Sequence, residues 1–209
     1  MKDLLNVDWA EVPGGVLIRG TPADEVDDVV RRHADYVLPR SYFAKEAPRS
    51  EVRVGPFAIS CTPVSLGQWR RFCAETGRAA PDGDPRLPVD NLQWWEAKAF
   101  CEWAVAATGE MIRLPTETEW ERAARGDDAR EYPWGELFDL RRANLAELGI
   151  GHAIPVGSLP SGASPFGVLD MIGNVDEWTA PLNTGPMRAH LPMCRSSRHT
   201  LLTPCHQGW

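Results

Sequence analysis

A chain of 209 residues with 43% apolar content is long enough for one domain, spanning 1–209, with a full core and no second composition regime. Its formal charge of -7, from 29 acidic and 22 basic residues with no Lys/Arg stripe, argues against nucleic acid as a main partner. Asp8 and Glu11 stand where an apolar leader would run, so no signal peptide or membrane span can be placed, and five Cys suit a reducing, cytoplasmic setting.

Residues Val7 to Gly20 alternate around Pro13-Gly14-Gly15, which predicts a hairpin with Val16 and Ile18 on its outgoing strand. Charge dominates from Pro22 to Ser50, where Val26, Val29 and Val30 at helical spacing predict a surface helix or an ordered loop. Val52, Val54, Phe57, Ile59 and Cys61 then read as a strand. Ser65 is an N-cap candidate for a helix that buries Trp69, Phe72 and Cys73 and ends at Gly77. After Pro88-Val89-Asp90 a longer helix is expected through Thr108, with Trp95, Phe100 or Cys101, and Ala104 inward and Gly109 as its stop. Thr116 and Glu119 form a capping box for a third helix, on which Trp120 and Ala124 share the inward face before Gly126. Short strands and turns follow. Nine Trp beside 18 Gly and 18 Pro fit loops held by aromatic packing.

Two groups of side chains could carry chemistry. The turn at Gly173 offers oxygens from Asn174, Asp176 and Glu177, as calcium requires; equally, Asn174 could hold the turn while Glu177 pairs an Arg. The last twenty residues gather His190, Cys194, His199, Cys205 and His206. Three of these could hold copper, zinc or iron, and the alternative is packed thiols with surface imidazoles.

Three segments in order carry a family resemblance: RLPTETEWERAARG (Arg113 to Gly126), YPWG (Tyr132 to Gly135) and FGVLDMIGNVDEWT (Phe166 to Thr179). They resemble the formylglycine-generating enzyme, or sulfatase-modifying factor, family, and the resemblance extends over nearly the whole chain before decaying after Thr179. It implies an α+β, C-type-lectin-like architecture of short helices on small twisted antiparallel strands. It also implies calcium at Asn174, Val175 (through its carbonyl) and Glu177, and a weaker calcium site at Asn144 and the Leu145 carbonyl, where Leu148 replaces an expected Asp.

The family's oxidases bind copper through two Cys that follow an RGGS strand. That strand and the loop carrying the pair are lost or shortened here, and Cys194 lies immediately before Arg195, outside the place of either catalytic Cys. Iron-dependent relatives use His-x-x-x-His-x-Glu, and none of His33, His152, His190, His199 or His206 has a second His four residues away.

The leading expectation is therefore a protein-binding module, of immunity or diversified type, without formylglycine-generating activity. It would present Arg188, Met193, Arg195 and Arg198, with the nearby His residues, to a protein partner on a C-terminal surface whose residues can change without breaking the core. The alternative is a copper or non-haem iron oxidoreductase acting on a thiol or small substrate through the C-terminal Cys/His group, with Cys194 and Cys205 as candidate catalytic residues.

Overall fold

A computed structural model describes residues 5–34 and 38–180, together with the backbone of 189–190 and 193–195. Its first feature is a long antiparallel ribbon. Strand β1 (Trp9–Val12) does not fold back on β2 (Gly15–Arg19), so the hairpin expected at Pro13-Gly14-Gly15 is absent. Instead β2 pairs with β3 (Ser50–Val54) and β1 with β4 (Phe57–Ser60). The register runs unbroken from Trp9↔Ser60 to Val12↔Phe57 and resumes at Gly15↔Val54 through Arg19↔Ser50. Pro13 and Pro56 face the interruption with no N–H to donate, so the ladder lapses there and the ribbon passes from one sheet to another. For the same reason the single strand expected from Val52 to Cys61 is two.

Helix α1 (Val26–Arg32) is the surface helix anticipated in the charged stretch, with Val26 buried, Asp27 and Asp28 in its first turn and Arg31 and Arg32 in its last, which suits the helix dipole. A single turn, α2 (Arg40–Phe43), follows. Helix α3 (Leu66–Thr76) starts at a capping box of Ser65 with Gln68, buries Leu66, Trp69, Phe72 and Cys73, and ends at Gly77. Helix α4 (Trp94–Thr108) buries Ala97, Phe100, Cys101 and Ala104. Phe100 stacks on Trp69 at 5.5 Å and meets Phe72 edge-on at the same separation, and truncating such a ring costs about 3–5 kcal/mol. Trp95, expected inward, is 66% exposed. Trp94 stands three residues before Ala97, on the packed face, and Trp95 is turned a further 100° or so away from it.

Helix α5 (Glu117–Arg125) follows β5 (Ile112–Arg113) and has the expected Thr116/Glu119 box. Glu119 also takes a two-pronged ion pair from Arg113, at 2.7 and 2.8 Å. The helix packs Ala123 and Ala124 against Ala10, Val12, Phe57 and Ile59, with Trp120 at the margin of that cluster. Arg122 is wholly buried, donating to the Gly126 carbonyl at 2.6 Å and pairing with Asp127.

The C-terminal segment enters two sheets. Strand β6 (Asp176–Trp178) pairs antiparallel with β8 (Met193–Arg195), while β7 (Ala189–His190) runs parallel between β4 and β5. The resulting four-stranded order is β1-β4-β7-β5. Backbone N–H and C=O groups of residues 189–190 and 193–195 supply ladder partners to three other strands. Among the described residues no helix is long and apolar enough to cross a membrane.

Candidate functional site

The turn at Gly173 is locked to the loop at Asn144 by backbone proximity first. Asn174 N–H donates to the Asn144 carbonyl at 2.8 Å, and a Cβ built on Gly173, whose φ is +74°, would lie 2.5 Å from that same oxygen. Only glycine fits so close an approach in that conformation. The Asn174 side chain completes the junction: Oδ1 accepts from Ile154 N–H at 2.9 Å and from Asn144 Nδ2 at 3.1 Å, and Nδ2 donates to the Ile154 carbonyl at 3.2 Å. Asn144 Nδ2 also donates to the His152 carbonyl at 3.0 Å. Both lone pairs of Asn174 Oδ1 are thus in use inside the protein. Of the other residues named for calcium, Val175 donates its N–H to the Gly173 carbonyl at 2.8 Å, and the Leu145 carbonyl accepts from Leu148 N–H at 3.0 Å.

Glu177 stands in contrast. It is buried on β6, and its partner is Trp120 rather than an Arg: the indole Nε1–H donates to Oε2, while Oε1 is buried with no hydrogen-bond partner among the described residues. Burial pushes the Glu177 carboxyl up to about 8, against the lowering effect of the Trp120 bond and with help from the charges of Asp170 and Asp176. Burial also raises Asp170, whose Oδ2 accepts from Gly157 N–H at 2.7 Å. Burial therefore makes the Glu177 carboxyl hold its proton far more readily than an exposed glutamate does. The Trp120–Glu177 pair escapes sequence reasoning. Its signal would have been the strand alternation of Val175-Asp176-Glu177-Trp178, in which Glu177 shares the face of Val175 that turns inward and so needs a donor from elsewhere in the fold.

The transition-metal candidates divide in two. Cys194 is the register partner of Glu177, with Arg195 opposite Asp176 and Met193 opposite Trp178, and His190 is the partner of both Ile59 and Arg113. Arg188, Arg198, His199, Cys205 and His206 lie outside the described residues. Among the described residues no three His, Cys, Asp or Glu side chains converge to hold an ion. Cys73 and Cys101 are buried core thiols, Cys101 being pushed up to about 12 by burial. Imidazole and thiolate as residue types suit copper or iron, and Glu177, whose Oε1 has no hydrogen-bond partner among the described residues, is the register partner of Cys194.

The chain matches the family described as Sulfatase-modifying factor enzyme 1-like domain over residues 7–188. It is 35% identical over 184 residues to a hercynine oxygenase of Mycolicibacterium thermoresistibile, a match covering 68% of this chain and 39% of that protein. It is 41% identical over 229 residues to the inactive C-alpha-formylglycine-generating enzyme 2 of Mus musculus, covering 81% and 67%. The solved structure of PvdO from Pseudomonas aeruginosa superposes with a TM-score of 0.67 at 26% identity, covering 94% of this chain and 83% of PvdO. The chain spans less than half the length of the hercynine oxygenases it matches. These relatives, at 32–35% identity, overturn the expectation of a protein-binding module and favour the metal-dependent oxidoreductase held as its alternative. By sequence and by its α+β, C-type-lectin-like architecture, the chain belongs to the sulfatase-modifying factor family, alongside the formylglycine-generating enzymes.

Proposed function

We propose that the chain serves a metal-dependent oxidoreductase acting on a small substrate, hercynine being the one named for its relatives. The observation that carries this reading is the 35% identity to a hercynine oxygenase across 68% of the chain. The metal, copper or iron, would draw ligands from His190, Cys194, His199, Cys205 and His206, or from sequence that the longer relatives carry outside the match. When bound, the ion would supply the electron transfer that side chains alone do not perform. The protein's own contribution is positional. The Asn144–Asn174 junction fixes the approach to β6, and Trp120 holds Glu177, a carboxyl that can keep or release a proton at Oε1 beside the strand carrying Cys194.

Elemental analysis of purified protein, with oxygen uptake measured on hercynine, tests the proposal. Near-stoichiometric copper or iron, lost in the Cys194→Ala, Cys205→Ala double variant, with substrate-dependent oxygen uptake, is the expected result. Calcium alone, with no oxygen consumed, would overturn it.

A further inference from the structure

Strands β2 and β3 make a sheet of their own, so each keeps an edge that no other described strand pairs with. The edge of β3 is the more open. Ser50, Glu51 and Arg53 are exposed and Val52 and Val54 half-buried, whereas Leu17 on β2 is buried and its neighbours are half-buried. Beyond the ladder to β2, the backbone of Ser50–Val54 finds no hydrogen-bond partner among the described residues. Pro48 and Pro56, which have no N–H, close the open stretch at either end. The two faces of β3 differ. Val52 and Ser50 stand opposite Leu17 and Arg19, and Arg19 pairs with Glu117 and Glu121, so this is the face that α5 covers. Glu51 and Arg53 alternate onto the other face, and among the described residues neither has an ion-pair partner. An open edge that carries uncompensated charges of both signs is a template for a further strand.

We propose that the free edge of β3 docks a second copy of this chain, the two β3 strands pairing antiparallel about a two-fold axis at Val52. In that register Val52 meets its own copy, Glu51 stands opposite the partner's Arg53, and Arg53 opposite the partner's Glu51. One pair of unlike charges thus lies on each side of the axis, and the contact closes after two chains. The neighbouring registers that keep the strands in phase are worse. Centring on Glu51 sets that carboxylate against itself and Arg53 against the partner's Arg49, and centring on Arg53 sets the guanidinium against itself. A shift of one residue breaks the alternation of faces. Charge therefore selects the Val52 register, in which the pair β2-β3 becomes the half of a four-stranded sheet.

Sedimentation of the full chain over a wide range of concentration, under reducing conditions so that the free thiol of Cys61 forms no cross-link, tests this directly. A reversible dimer is expected, with the amides of Ser50–Val54 gaining protection from hydrogen exchange as it forms. Arg53→Glu sets acid against acid on both sides of the axis and should raise the dimer dissociation constant about 10-fold, as should Glu51→Arg with the signs reversed. Combining the two substitutions exchanges the charges, restores unlike pairs, and should return the dimer to nearly its original strength. Both positions are exposed, so denaturation midpoints matched to the parent certify that the variants are folded. A chain that stays monomeric would overturn the proposal, and slow exchange at Ser50–Val54 in that monomer would assign the edge to another segment of the same chain. A dimer indifferent to the single reversals, or one that the double variant fails to recover, would overturn it as well.

Discussion

Asn174 and Glu177 sit three residues apart in the same loop-to-strand passage, yet they are used in opposite ways. Every polar atom of the Asn174 side chain is spent joining two loops, while one oxygen of the Glu177 carboxyl is buried without a hydrogen-bond partner among the described residues. A residue whose hydrogen bonds are closed within the protein acts as a joint. One with an open buried oxygen retains a free energy that a proton, a cation or a conformational change can draw on. The difference makes Asn174 a structural joint and leaves Glu177 the one of the two whose protonation can respond to its surroundings.

Replacing Asn174 by Ala should break the joint with the largest effect, about 4 kcal/mol of destabilisation in chemical denaturation. Three hydrogen bonds go at about 1 kcal/mol each, and Ala is strained at the left-handed φ of 61° that Asn tolerates. A change below about 1 kcal/mol would erase the contrast.

Glu177→Gln sharpens the other side through pH. Because burial lifts the folded-state carboxyl to about 8 from an ordinary value near 4.5, the native state keeps a proton that the unfolded chain has lost. Stability from this group is complete below about pH 4.5, falls as pH rises, and levels off above about 8. Between pH 5 and pH 8 the wild type should lose about 3–4 kcal/mol more than Glu177→Gln. Parallel pH profiles for the two proteins would refute the open-oxygen account. Calcium that flattens the wild-type slope alone would put that ion at Glu177.

Trp120→Phe keeps the ring and removes the indole donor, leaving Oε2 unpaired as well; a loss of about 1–2 kcal/mol is expected at neutral pH. His152→Ala should be the mildest change, within about 0.5 kcal/mol, since Asn144 uses the His152 carbonyl and not its ring. A larger effect would mean that the imidazole contributes to the junction after all.

Much of the helical scaffold was legible in advance. Ser65 with Gln68 and Thr116 with Glu119 are local capping boxes, and a side chain three residues from its partner needs no tertiary information to find it. The side on which Trp95 falls is not legible locally, because a Trp-Trp pair leaves the inward face ambiguous until α4 meets its neighbours. The hairpin at Pro13 failed for a related reason: turn residues signal a change of direction, but whether the strands pair with each other or with distant partners depends on what else the sheets offer. Function was the least legible, because the motifs that mark the family give its fold, and the relatives that share them include both hercynine oxygenases and an inactive formylglycine-generating enzyme.

What the sequence determined alone was therefore the short-range order: three capped helices, the turn at Gly173, and the motifs that mark the family. Tertiary structure alone decided that β7 lies between β4 and β5, that Cys194 faces Glu177 in register, and that a carboxyl 57 residues from Trp120 shares its hydrogen. Capping and periodicity act over a single turn of chain, whereas burial, proton affinity and strand partnership depend on residues that only the closed fold brings together.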